Sequence, residues 1–239
     1  MKVVPATFAL VMPTLNEIEG LRAVLPKIDR SLFQQIIVVD GGSTDGTVEF
    51  CLEQGLTVLR QPARGIPDAE EHAFSHCTSD AFVLFTPDGN SLPELLAPLC
   101  EKLREGYDLV VASRYLDGAQ SFDDDRLTSL GNRIFVLLTN LFFRSCYTDV
   151  LVGLRVYTRD AIERMQLPAM SHESWIRQRF FYMNSWELGS SIRAARLKLR
   201  VAEIPGDEPK RIGGQRKLSI LKNGFGGLFQ ILYDFVMFR

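Results

Sequence analysis

The chain has 239 residues, of which 46% are hydrophobic and 23% charged, and its net charge is −2. This composition excludes a disordered chain, collagen-like repeats and a disulfide scaffold, and the near-neutral balance excludes a protein-wide basic field for nucleic acid. The charge is unevenly spread: residues 190–239 carry 10 Lys and Arg against 4 Asp and Glu, whereas residues 1–189 carry 17 against 25.

Short apolar runs alternate with helical segments through the first half. Phe8–Met12, Ile36–Val39, Thr57–Leu59, Ala81–Phe85 and Leu109–Ala112 read as strands. Glu17–Ile28, Thr47–Gln54, Asp68–Cys77 and Pro93–Arg104 read as the helices between them. Runs of this length separated by helices of about ten residues predict βα units around a buried, mostly parallel sheet. Leu116–Arg126, with Asp123-Asp124-Asp125, reads as a mobile polar loop, and Leu127–Phe143 as a helix with an apolar end. Leu151–Tyr157 and Leu199–Ile204 are expected strands, Trp186–Leu197 a helix, and Lys210–Lys217 a basic glycine-containing loop. Leu218–Phe238 is an apolar helix carrying Lys222 and Asp234. The expected organisation is one domain over residues 1–217 with a C-terminal amphipathic helix over 218–239.

Cys51, Cys77, Cys100 and Cys146 have no C-x-x-C spacing and read as free thiols in a reducing compartment. Pro5 and Pro13 interrupt the apolar start, so no signal peptide is expected, and no run reaches the roughly 18 apolar residues of a spanning helix. His72 and His76 lack a third ligand and the H-E-x-x-H order, which favours a solvated helix face over a zinc site.

Polar residues gather where the strands end, which is where open α/β sheets bind ligands. These are Pro13-Thr14-Leu15-Asn16-Glu17, Asp40-Gly41-Gly42-Ser43-Thr44-Asp45-Gly46, Thr86-Pro87-Asp88-Gly89-Asn90 and Ala112-Ser113-Arg114-Tyr115. Neither G-x-G-x-x-G nor a P-loop occurs, so phosphates need another partner, such as a divalent cation on hard oxygen ligands. Asp88 and Asn90, two apart on one turn, are the candidate ligands, with a plain Asp-Gly turn as the alternative.

The strand-end segments, followed in order by Gly131-Asn132-Arg133, Asp149 with Gly153-Leu154-Arg155, Glu203-Ile204-Pro205 and Arg211-Ile212-Gly213-Gly214-Gln215-Arg216-Lys217-Leu218, resemble the inverting family-2 glycosyltransferases of GT-A fold. The similarity is closest to the dolichyl- and polyprenyl-phosphate hexose synthases and covers roughly residues 8 to 222. It departs from them in reading T-P-D-G-N where the family has D-x-D, and in placing Gly41 where a second Asp is usual.

The resemblance implies a Rossmann-like nucleotide-sugar domain and metal-dependent transfer of a hexose from a UDP- or GDP-sugar to a polyprenyl or dolichyl phosphate. It implies that Asp40 hydrogen-bonds the donor base, and that Pro13, Thr14 and Glu17 line the nucleotide pocket. Asp88 and Asn90 hold Mg²⁺ or Mn²⁺, and Arg211, Gly213, Gly214 and Lys217 form a loop over the phosphates. Arg114 and Arg133 are the candidates for the acceptor phosphate, with a salt bridge as each one's alternative. Glu187 is either a base for a sugar-hydroxyl acceptor or a residue that orients Arg211 or another cation. The rival readings are a family-2 enzyme acting on a saccharide hydroxyl, a nucleotide-sugar-binding module without turnover, and a sugar nucleotidyltransferase.

The C-terminal helix, flanked by Arg216, Lys217, Lys222 and Arg239, either lies in a membrane interface or packs on the domain or a partner subunit. The expectation is a cytoplasmic protein held peripherally at the membrane's inner face, with a homo-oligomer open.

Overall fold

A computed structural model describes residues 4–63, 65–170, 185–213 and 220–238. Among them a seven-stranded sheet runs in the order β3-β2-β1-β4-β6-β5-β7. Its strands are β1 (Phe8–Thr14), β2 (Gln35–Asp40), β3 (Thr57–Arg60), β4 (Ala81–Leu84), β5 (Leu109–Ser113), β6 (Arg155–Thr158) and β7 (Val201–Pro205). β6 is antiparallel to both its neighbours, and every other pairing is parallel. The helices are α1 (Ile18–Val24), α2 (Thr47–Glu53), α3 (Ile66–His76), α4 (Leu96–Arg104), α5 (Arg126–Phe143), α6 (Arg159–Arg164), α7 (Trp186–Arg196) and α8 (Ile220–Met237). The α/β class and the mostly parallel sheet are as the sequence predicts. β4 and β5 are buried at every position, the signature of strands covered on both faces.

The boundaries move for local reasons. Pro26 turns the end of the first helix into a 3₁₀ turn, Leu25–Lys27, and Pro93 opens a 3₁₀ turn, Pro93–Leu95, ahead of α4. The strand expected from Leu151 begins only at Arg155. Asp149 Oδ1 accepts from Leu151 N at 3.1 Å and the Val152 carbonyl accepts from the Arg155 guanidinium, so the intervening backbone forms a turn. Asp125 caps α5 by accepting from Thr128 N at 2.7 Å, and Arg144 ends that helix in the left-handed region at φ +53°.

The main core lies between the sheet and α1–α4, and takes in Ala161 and Ile162 of α6 and Trp186 and Ala194 of α7. A second apolar cluster joins α5, α7 and α8 through Phe135, Phe143, Leu188, Ile192 and Ile231. Gly227 allows α8 this close: a Cβ there would stand 2.9 Å from the Phe135 ring and 3.3 Å from Leu188. Asp234 is fully buried and pairs with the equally buried Arg193 at 3.1 Å. Arg193 also donates to the Met165 and Gln166 carbonyls. The charged residue that interrupts the apolar C-terminal run thus faces the protein. The opposite sides of α5 and α8 stay exposed and apolar, with Leu130, Ile134, Leu137 and Leu141 on one and Phe225, Leu232, Phe235 and Val236 on the other. No helix among the described residues is long and apolar enough to cross a membrane.

Candidate functional site

The ends of β1 and β2 are laced together. Thr14 pairs in register with Asp40, and Thr14 Oγ1 donates to the Val39 carbonyl at 3.3 Å. The Asp40 carboxylate is 5% exposed and accepts from Gly42 N at 2.9 Å and Ser43 N at 3.1 Å, which folds the glycine-rich loop back over the strand end. Asn16, at φ +54°, accepts from Thr44 N through its side chain and donates its own N–H to Ser43 Oγ, both at 2.8 Å. Asparagine tolerates that left-handed backbone because its short amide bonds locally. Glu17 N donates to Thr47 Oγ1 at 3.0 Å, and Pro13 is half-buried beside them.

The turn after β4 sits next to this pair. Thr86 and Ser91 share a 2.7 Å hydroxyl–hydroxyl bond across its base. Asp88 Oδ1 accepts from Asn90 N at 3.1 Å. Asp88 and Asn90 are 7% and 6% exposed, and neither side-chain polar atom of Asn90 has a hydrogen-bond partner among the described residues. An enclosed amide with unmet bonding capacity beside a carboxylate is an oxygen-rich set of the kind that Mg²⁺ or Mn²⁺ uses together with substrate phosphate. The residues present therefore fit such an ion.

A strap formed by residues 206–213 covers this turn. Ile212 N donates to the Asp88 carbonyl at 2.7 Å. Arg211 Nη1 stands 3.1 Å from Asp88 Oδ2, and Arg211 Nε 3.2 Å from Asp123 Oδ2. Gly213 and Ile212 close a cavity of about 230 Å³ against Asn16, Glu17, Gly20 and Asp45. The fold therefore brings Glu17, Asp88, Arg211 and Gly213 to one place, with Asn90 on the same turn and Thr14 and Asp40 on the adjoining strand ends. Gly214 and Lys217 lie outside the described residues.

Arg114 takes the salt-bridge alternative. It is 6% exposed and makes a two-pronged pair with Asp149, Nε to Oδ2 at 2.6 Å and Nη2 to Oδ1 at 3.0 Å. Its Nη1 reaches Asp124 at 3.3 Å and Glu208 at 3.1 Å. Guanidinium matches carboxylate best in this geometry, and three acids, of which Asp149 is fully buried, engage Arg114 in the salt-bridge arrangement. Burial pushes the Asp149 carboxyl up, but the Arg114 charge and hydrogen bonds outweigh it and hold the group below the ordinary carboxylate value. Arg133 is exposed on the wall of a second cavity of about 480 Å³, with Tyr115, Ala119, Leu137, Asn140 and Thr148.

Among the described residues Glu187 does not meet Arg211, the first of the cations it was expected to orient. Ser185 Oγ donates to its carboxylate, and its charge acts on Glu70, whereas the described acidic partners of Arg211 are Asp88 and Asp123. Glu70 is fully buried, and neither carboxyl oxygen has a hydrogen bond among the described residues. Burial first, then the Glu187 charge, push its pKa well up, with Arg155 offsetting part. Asp123, Glu208 and Asp149 were not among the candidate site residues. Asp149 was marked only as part of the family resemblance, and Asp123 only by the run Asp123-Asp124-Asp125, which reads equally well as a solvated loop.

A family profile described as Glycosyl transferase family 2 matches residues 9–183. Glycosyltransferase AglJ of Haloferax volcanii is 30% identical over 68% of the chain, which spans 54% of that relative, about half its length. Undecaprenyl-phosphate mannosyltransferase of Micrococcus luteus is 26% identical, with 87% of the chain and 86% of the relative covered. Among solved structures, glucosyl-3-phosphoglycerate synthase of Mycobacterium tuberculosis, in complex with Mn²⁺, UDP and glucosyl-3-phosphoglycerate, superposes with a TM-score of 0.69. The match covers 96% of this chain and 79% of that one at 21% identity, which shows a shared fold.

Proposed function

The chain belongs to glycosyl transferase family 2, and on that premise we propose that it moves a hexose from a nucleoside-diphosphate sugar to a polyprenyl or dolichyl phosphate, with inversion. The observation that carries this reading is the pairing of two neighbouring sites. One joins Asp88, Asn90 and Arg211. The other is the cavity in which Arg133 stands beside Leu137 at the foot of an exposed apolar helix face. A cation over apolar surface suits a phosphate monoester with a hydrocarbon tail. The relative named undecaprenyl-phosphate mannosyltransferase lends support.

In this reading Asp40, Pro13, Thr14 and Glu17 hold the nucleoside, and Asp88 with Asn90 holds Mg²⁺ or Mn²⁺. Such an ion supplies Lewis-acid neutralisation of the departing diphosphate. Arg211 turns from Asp88 to the donor phosphates. A phosphate monoester has its second pKa near 6 (about that of phosphoserine), so it attacks the anomeric carbon without a general base. A sugar hydroxyl needs one. Glu187, the residue suited to that task, is engaged by Ser185 and coupled to Glu70, which favours the phosphate acceptor. The apolar faces of α5 and α8 support a peripheral seat on a membrane surface.

The test is incubation with Mn²⁺ or Mg²⁺, UDP- and GDP-hexoses and polyprenyl phosphate, in wild type and Asp88→Ala. A lipid-linked sugar made only by wild type is expected. Transfer to saccharides alone refutes the acceptor, and nucleotide binding without turnover refutes the catalytic reading.

A further inference from the structure

The loop that walls the Arg133 cavity and the strap that carries Arg211 are built as one piece. Tyr115, Gly118 and Ala119 line the cavity. The same loop then runs beside the strap. Gln120 N donates to Asp207 Oδ1 at 2.8 Å, Glu208 N to the Gln120 carbonyl at 2.9 Å, and Phe122 N to the Glu208 carbonyl at 2.8 Å. Ser121 and Glu208 form a parallel β-bridge, and Ser121 Oγ donates to the Glu208 carboxylate. Glu208 also accepts from the buried Arg114, which grips Asp124 on the loop and Asp149 beneath it. Tyr115, in the cavity wall, donates its hydroxyl to Asp124 at 2.6 Å. Three residues beyond Glu208, Arg211 is tied back to the loop by Asp123.

Backbone hydrogen bonds and a cluster of ion pairs centred on the buried Arg114 thus connect the cavity wall to the donor-side arginine. We infer that Glu208 and Asp123 are positioning residues through which occupancy of the Arg133 cavity sets Arg211, so that acceptor and donor bind cooperatively. The inference rests on the phosphate-acceptor reading above. A lipid phosphate in the cavity orders Tyr115–Ala119, the loop holds Glu208 and Asp123 in register, and Arg211 stays poised between Asp88 and the donor phosphates. Glu208 is the better probe of the two. Its side chain joins the two segments, while Arg114 keeps its two-pronged bond to Asp149 when the Glu208 charge is removed.

Calorimetry of UDP and of GDP with Mn²⁺, in detergent micelles with and without a short polyprenyl phosphate, tests the coupling. In wild type the lipid tightens the nucleotide that binds by about 5-fold or more, and by reciprocity the nucleotide tightens the lipid by the same factor. In Glu208→Gln the ratio falls to about 1, while nucleotide affinity without lipid stays within about 3-fold of wild type. Asp123→Asn loses the same ratio without touching Arg114, which covers the case of a Glu208 variant that folds poorly. A merely structural role lowers Tm and leaves the ratio alone. The inference falls if both variants keep the wild-type ratio, or if wild type turns over the lipid with nucleotide affinity indifferent to it. A wild-type protein that neither binds nor glycosylates the lipid phosphate refutes the acceptor reading and this inference with it.

Discussion

Gly89→Ala separates the integrity of the turn from the seating of the strap. Gly89 lies at φ +89°, and a Cβ there would stand 2.7 Å from Ile212 Cγ1 and 3.2 Å from Ile212 Cβ. Placing a Cβ on left-handed backbone costs about 1–2 kcal/mol and is felt as global stability. The overlap with Ile212 costs about a further 1–3 kcal/mol if nothing moves. Two interactions hold the strap down at this point. The Ile212–Asp88 backbone bond contributes about 1 kcal/mol, and the Arg211–Asp88 pair, with Arg211 30% exposed, at most about 1 kcal/mol. The overlap matches that hold, and the turn is buried while the strap is not, so the strap lifts. Since every 1.4 kcal/mol is tenfold, affinity for nucleoside diphosphate with Mn²⁺ drops by roughly 10-fold or more as Arg211 leaves. Calorimetry reads the affinity, denaturant unfolding the stability, and hydrogen exchange at the Ile212 amide the strap itself. A variant that loses the stability yet keeps both the affinity and the Ile212 protection would refute the reasoning.

Three further outcomes follow from burial and charge. Asp234→Asn leaves Arg193 charged and enclosed, and lowers unfolding free energy by about 3–5 kcal/mol in denaturant titration; a loss below about 1 kcal/mol contradicts a buried pair. Glu70 stays protonated in the folded protein above its ordinary value of 4.5, so the native state holds a proton that the unfolded chain releases. Stability therefore falls as pH rises from 4.5 through the raised folded value, and Glu70→Gln removes that slope; equal slopes across a pH series count against it. Leu137 and Leu141 are 64% and 67% exposed, so changing both to Glu leaves Tm unaltered. Vesicle binding weakens by roughly 30-fold or more, because about 2–3 kcal/mol of leucine burial in lipid is forgone; unchanged flotation with anionic vesicles removes the membrane seat and leaves a second copy of the chain as the cover.

Most strands and helices were legible because their periodicity is set by burial. Pro93 and the run Leu109–Ala112 sit where local chemistry puts them. The direction of β6 was not legible. Val156 and Tyr157 are buried on a strand of four residues, and a run that short carries no mark of whether it pairs parallel or antiparallel. At the site, Asp40, Asp88 and Asn90 were readable because strand ends and turn residues announce themselves. The partners of Arg114 and Arg211 were not. Asp149 and Glu208 lie 35 and 94 residues from Arg114, and only the fold brings them together. Glu70 stands two residues before His72, on the helix whose histidines read as a solvated face, yet it lies on the buried side. One acid among polar neighbours gives no sign of which side it will take.

The sheet order has a consequence for how the molecule assembles. β1 to β4 are complete by residue 84 and pair with one another, so that half can form early. β5 does not touch it. Its two partners are β6, which begins 42 residues after β5 ends, and β7, which begins at Val201. During synthesis Leu109-Val110-Val111-Ala112 must therefore wait, apolar and unpaired at both edges, until the ribosome has added Arg155 to Thr158. Unpaired strands of this kind are the surface that chaperones recognise and that aggregation exploits. Slow translation or heat stress should strike this protein first in the nascent chain, at β5, while the finished sheet leaves that same strand wholly enclosed.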